Sequence, residues 1–210
     1  MKIILDFDDV LFNTKAFKRD LINVFKKNGV SEKDFLATYK DYPVITKKGI
    51  LKYDPFWQIK ILGERRGIDV VKTRQDMLEF LNNCPQYVFR DATGFLKKFS
   101  KNKLYLVSYG HTGFQDKKIE QSGLGGFFGK IVVTDKMKAA VMRRFIRKGK
   151  DMVFIDDRVD QINAVKKYFP NSLTFLLKRK ERRYDDKKTK YVDYEIKCLK
   201  DAVKIINSVN

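Results

Sequence analysis

Lys2-Ile3-Ile4-Leu5-Asp6-Phe7-Asp8-Asp9-Val10 is a short apolar run that ends in three carboxylates. Its length and β-branched content are those of a buried strand. Acids at the end of such a strand sit in the crevice outside the carboxyl edge of a sheet, where α/β folds place their ligands. Like charges this close raise one another's proton affinity unless a cation neutralises them. The cluster therefore points to a metal site and predicts partners elsewhere in the chain.

Four further apolar runs read as strands: Leu104–Val107, Ile131–Val133, Met152–Ile155 and Leu173–Leu177. Helical spacing separates the later ones. Lys117–Ser122 runs to Gly123, Ala139–Ile146 places Val141, Met142, Phe145 and Ile146 on one face, and Ile162–Tyr168 stops before Pro170. Strands alternating with helices imply a parallel sheet covered on both faces. The expected class is α/β, a Rossmann-like five-stranded parallel sheet flanked by helices.

The gap between the first two strands is too long for one crossover and carries only helical patterns. Phe17, Leu21, Val24 and Phe25 make one stripe, Ser31-Glu32-Lys33-Asp34 resembles a capping box, and Ile68–Leu81 predicts a further helix. Pro43, Pro55 and Pro85 interrupt the pattern around Tyr53, Phe56 and Trp57. These features predict a small α-helical cap over 14–86, mounted on a core of 1–13 and 87–210, an architecture suited to a lid.

Composition bounds the rest. The 210 residues suffice for one sizeable core, and no apolar stretch approaches the roughly 18 residues of a membrane span. Acids by position 6 argue against a secretory leader, and Cys84 and Cys198 are too few and too distant to form a disulfide framework, so the expectation is a cytoplasmic protein with reduced thiols. The unusual number is the net charge of +19. Residues 136–150 carry seven Lys or Arg and no acid, and 178–190 carry eight against three acids. A field of this sign attracts phosphate-bearing partners, nucleic acid included, although solvated lysines in a biased composition give the same count.

Four features now stand at strand ends: Asp6-Phe7-Asp8-Asp9-Val10; Val107-Ser108-Tyr109-Gly110; Lys136 or Lys138 after the third strand; and Ile155-Asp156-Asp157. In this order they resemble the haloacid dehalogenase-like superfamily, mostly magnesium-dependent phosphatases, over nearly the whole chain. Gly113-Phe114-Gln115, Lys118-Ile119 and Gly123-Leu124 look like the family's helix and turn after the Ser motif.

The resemblance implies roles. Asp6 is the nucleophile that forms an aspartyl-phosphate, and Asp8 is the acid–base. Ser108 holds a phosphate oxygen, with Tyr109, Gly110 and His111 beside the substrate. Lys138 or Lys136 neutralises charge. Mg²⁺ is bound by Asp6, the backbone carbonyl of Asp8, and Asp156 or Asp157. Asp9 stands where glycine is common, Tyr109 where asparagine is frequent, and Gln161 where many members carry another acid, with Asp160 one residue away. The implied activity is hydrolysis of a small phosphorylated metabolite. The alternatives are a nucleic-acid end-processing phosphatase and a non-catalytic protein on the same fold.

Overall fold

The computed structural model describes residues 1–40, 53–147 and 151–209; Pro43, Lys148 and Lys150 lie outside them. Six parallel strands form one sheet in the order β3-β2-β1-β4-β5-β6. These are β1 (Lys2–Leu5), β2 (Leu104–Tyr109), β3 (Lys130–Thr134), β4 (Met152–Asp156), β5 (Ser172–Leu177) and β6 (Tyr194–Ile196). Side chains alternate between faces, so β1, β2, β4 and β5 each feed two cores. Ile3, Leu5, Leu106, Ile155 and Phe175 join one buried cluster, while Ile4, Val107, Phe154 and Leu176 join the other. Apolar side chains on both faces are why the strands read as continuous apolar runs.

The first cluster is covered by α5 (Arg90–Leu96), α6 (Thr112–Gln121) and α9 (Leu199–Ser208). The second lies under α7 (Lys138–Met142) and α8 (Val159–Tyr168). Pairing of Leu5 with Leu106 on one side and Ile155 on the other sets β1 at the centre. Asp6 consequently emerges between β2 and β4, where the strand order reverses; open α/β sheets bind ligands in that crevice.

Between β1 and α5 the described residues form four α-helices, α1 (Thr14–Lys27), α2 (Glu32–Lys40), α3 (Pro55–Arg66) and α4 (Val70–Asn82). The expected α1 stripe is buried in full, at Phe17, Leu21, Val24 and Phe25. Ser31 Oγ accepts the Asp34 amide at 3.0 Å, the first half of a capping box, and the Asp34 carboxylate accepts from the Ser31 hydroxyl at 2.7 Å rather than from the Ser31 backbone N–H. Pro55 opens α3 rather than interrupting a pattern. It sits in the first turn behind the N-cap Asp54, where a missing N–H costs nothing. The chain leaves and returns side by side: Asn13 donates to Tyr87 O at 2.7 Å and Phe89 to Leu11 O at 2.9 Å.

The sheet has one strand more than expected. β6 is three residues long and only Ile196 is buried, so this edge strand has neither the length nor the apolar content that marks a strand in sequence. Helix α7 ends at Met142, earlier than the spacing suggested, although Ile146 beyond it is still buried. Residues 178–193, between β5 and β6, run back across the carboxyl edge as an irregular strap. Arg179 anchors it: the buried guanidinium donates twice to Val10 O, at 2.7 and 3.1 Å, and pairs with Asp91 at 2.8 Å.

Candidate active site

Four of the expected residues meet at the centre of the carboxyl edge. Lys138 opens α7 and is almost wholly buried, its ammonium 2.7 Å from Asp6 and 2.6 Å from Asp156. Its backbone N–H donates to Gln161 Oε1 at 3.1 Å, so Gln161 fixes the start of α7. Lys136, the alternative, is exposed in the preceding turn, where its amide donates to Thr134 Oγ1. Of the two lysines, the fold brings Lys138 to the nucleophile candidate.

Oxygens of Asp6, Asp156 and Asp157 lie within 4.8 Å of one another, and all three residues are buried. One ammonium cannot balance three carboxylates. Burial raises the Asp6 carboxyl to about 7, against the pull of Lys138 and with the push of Asp156 and Asp8. Asp157 is raised well above the usual range by burial and by the charges of Asp156, Asp6 and Asp9. Its Oδ2 is buried with no hydrogen-bond partner among the described residues. Asp6 Oδ1 touches the ammonium but lies off hydrogen-bonding geometry. A set of hard oxygen donors with orphaned lone pairs and surplus negative charge fits a divalent cation such as Mg²⁺. The Asp8 side chain is not in this cluster; its expected share in metal binding concerns its backbone carbonyl.

Asp8 is clamped on the other side. Thr14 Oγ1 donates to it at 2.7 Å, Lys118 Nζ at 2.6 Å and Gln115 Nε2 at 2.8 Å. Gln115 Nε2 also reaches Ser108 Oγ at 2.8 Å, tying Asp8 to the serine motif. Lys118 is buried among the rings of Phe7, Phe12, Phe17 and Phe114, 5.1–5.7 Å from their centroids. Burial would raise the Asp8 carboxyl, but Lys118 and Arg183 outweigh it and hold it down at about 2. The two carboxylates of the Asp-x-Asp motif thus have environments that push them apart, the arrangement that divides chemical roles.

Asp9 occupies a left-handed conformation (φ 56°), the only positive φ outside glycine among the described residues. Phe7–Phe12 is a tight loop in which Leu11 and Phe12 both donate to Phe7 O. The strain, of order 1 kcal/mol for an L-residue, is met by two bonds: Asp9 accepts the Thr14 amide and the Arg183 Nε of the strap.

Above these residues lies a cavity of about 550 Å³. Asp6, Asp8, Asp157 and Lys138 line its floor; Tyr109, Gly110 and His111 its β2 wall; Phe17, Lys18, Leu21, Tyr39 and Tyr53 the helical side; Arg183 and Tyr184 the strap. Ser108 is fully buried just behind the wall, its hydroxyl donating to no described residue. His111 caps α6, its Nδ1 accepting the Phe114 amide. Of the aromatic trio in the insertion, Tyr53 faces the cavity, whereas Phe56 and Trp57 do not line it.

Sequence reasoning passed over Thr14, Gln115, Lys118 and Arg183. Lys118 and Gln115 had left a signal: they share the inward face of α6 with Phe114 and Ile119, all four buried, and polar residues on an apolar stripe are buried for a purpose. Arg183 left none within its basic run. In that run Lys178, Arg179, Arg182 and Arg183 all pair with acids of the same chain.

No protein-family model matches the sequence, and no curated protein matches it. Solved structures match over the full length. YfnB of Bacillus subtilis, named as a HAD-hydrolase and bound to magnesium, is 16% identical with a TM-score of 0.63, covering 98% of each chain. The L-2-haloacid dehalogenase of Xanthobacter autotrophicus is 11% identical with a TM-score of 0.60, covering 99% of this chain and 98% of its own. A Thermotoga maritima protein named as a β-phosphoglucomutase is 12% identical with a TM-score of 0.59, covering 100% of both. At such identities the likeness is one of fold: this chain has the haloacid dehalogenase-like fold, as the four motifs led one to expect.

Proposed function

We propose that this protein is a magnesium-dependent phosphomonoester hydrolase that works through an aspartyl-phosphate on Asp6, with a small phosphorylated metabolite as substrate. The observation that carries this reading is Asp6 on the floor of the cavity between the Lys138 ammonium and the Asp156–Asp157 pair. Asp6, Asp156 and Asp157 would hold the cation, which supplies positive charge for a phosphate dianion approaching a carboxylate. YfnB, of the same fold, is bound to magnesium.

The chain's own residues divide the work. An Asp6 oxygen attacks phosphorus and the bond to the leaving oxygen breaks, leaving an acyl phosphate that water then hydrolyses. Lys138 neutralises charge on Asp6 and the phosphoryl oxygens. The Ser108 hydroxyl has its donor available for a phosphate oxygen. Asp8 is a carboxylate in the resting site, the form that takes a proton from the attacking water. An incoming phosphate dianion raises its proton affinity, which loads the proton needed by the departing oxygen in the first half. The helical insertion roofs the cavity with Phe17, Leu21, Tyr39 and Tyr53 and serves as a cap that limits water.

Dehalogenases share the fold, but a carbon–halogen bond carries no phosphate charge. A three-carboxylate cation cluster therefore favours the phosphate reading. The basic 178–190 run gives nucleic-acid processing less support, since much of its charge is spent on internal pairs. The test is phosphate release from a panel of sugar phosphates, nucleotides, phosphorylated oligonucleotides and an aryl phosphate, with and without Mg²⁺, beside Asp6→Asn. Metal-dependent release that vanishes in the variant is expected. A folded wild type that hydrolyses none of them with any divalent ion sinks the proposal.

A further inference from the structure

The strap carries chemistry that hydrolysis of a phosphate does not itself require. It is pinned at both ends of its cavity-facing stretch: by Arg179 on Val10 O and Asp91, and by Asp186, which accepts Arg158 Nε at 3.2 Å and the Val159 amide at 3.0 Å. Between these anchors Arg183 enters the cavity wall with its side chain half-buried. Its Nε is committed to Asp9, while its two terminal nitrogens have no acceptor among the described residues. The Tyr184 ring lies against two guanidiniums, 4.1 Å from Arg158 and 5.2 Å from Arg183, and all three side chains line the cavity. The Asp9–Arg183 pair thus orients a planar, two-pronged donor into a space far larger than a phosphate ion needs.

Position assigns the donor its target. Lys138 and the three-carboxylate cluster mark where the reacting phosphorus sits, and Asp8 marks the leaving oxygen. Arg183 is ion-paired with Asp9, its charge reaches Asp8, and it forms no ion pair or hydrogen bond with Asp6 or Asp157, so it stands on the Asp8 side of the cavity, along the leaving group. Resting on the phosphatase reading, we propose that Arg183 is a specificity-determining residue that takes a second phosphate on the leaving-group side. The preferred substrates are then small bisphosphorylated metabolites rather than monophosphates. Fork-shaped guanidinium recognition of phosphate is the chemistry such a group needs.

The experiment compares fructose 1,6-bisphosphate with fructose 6-phosphate as substrates for wild type, Arg183→Met and Arg183→Lys. The same pair is titrated calorimetrically into Asp6→Asn and Asp6→Asn/Arg183→Met, with Mg²⁺. A charge-assisted pair of hydrogen bonds predicts a wild-type preference for the bisphosphate of about 10- to 100-fold in kcat/KM, carried mainly by KM. The ratio should fall towards one in Arg183→Met and recover in part in Arg183→Lys. A wild-type ratio near one overturns the proposal, as does an Arg183→Met protein in which both substrates weaken in equal proportion. That second result would make Arg183 a strap anchor only. If no ester is turned over, the hydrolase reading fails by itself and the calorimetry still decides: tighter bisphosphate binding that needs Arg183 upholds the second-phosphate site, and equal binding overturns it.

Discussion

Replacing Lys138 by Met removes the one ammonium that the described residues place among three buried carboxylates, while keeping the aliphatic volume of the stem. The cation touches Asp6 and Asp156 at 2.7 and 2.6 Å. Breaking a buried pair from one side costs about 3–5 kcal/mol, because the remaining charge is left uncompensated. For a chain of this size that is a fall in Tm of about 6–20 °C. The loss depends on pH with a definite sign. Asp6 is already raised to about 7 with Lys138 present, so its folded pKa lies above its unfolded one. Stability from such a group is fully present below the unfolded value near 4 and is lost as pH rises through the folded one. Removing Lys138 pushes the three acids higher still. Without metal the variant should therefore be closest to wild type near pH 5 and furthest from it at pH 8. Mg²⁺ should restore part of the difference at pH 8 by supplying the missing charge. Urea denaturation at both pH values, with EDTA or Mg²⁺, reads all three effects. A variant within about 1 kcal/mol of wild type at pH 8 in EDTA, far below the cost of an orphaned buried charge, would refute the idea that one ammonium holds the cluster together.

Lys118→Met should cut kcat/KM by about 10², the scale for losing one preorganised charged donor. The acid limb of its pH–rate profile should move upward, since Asp8 at about 2 is held down by that lysine; an unmoved limb refutes the assignment. Arg179→Ala should cost about 3 kcal/mol in urea denaturation, because Asp91 and Val10 O lose a buried partner, and a loss under about 1 kcal/mol, typical of exposed pairs, would show that the strap is held elsewhere. Burial pushes the Cys84 thiol up to about 11. A thiol reagent at pH 8 should therefore modify partly exposed Cys198 first in the native protein, with Cys84 reacting only after denaturation.

The order of the motifs along the chain was legible in sequence because three of the four end a short apolar strand. A buried parallel strand is recognised by local composition, and its carboxyl end by the first polar residues after it. Asp6, Ser108 and Asp156 needed nothing more, and the stripe Phe17–Phe25 declared the first helix of the insertion equally well. Strand β6 did not declare itself, because three residues at a sheet edge with one buried side chain carry no period. Lys136 and Lys138 could not be separated by spacing. They are two residues apart, and only the turn before α7, fixed by Gln161 from another helix, turns one inward and leaves the other in solvent. The clamp on Asp8 and the Asp9–Arg183 pair join residues up to 174 positions apart. Sequence alone determined the motifs on which the proposed chemistry rests, since the candidate nucleophile, acid–base and cation ligands are local words at strand ends. Tertiary structure decided which charges face one another, because burial and ion pairing depend on distances that only the closed fold creates.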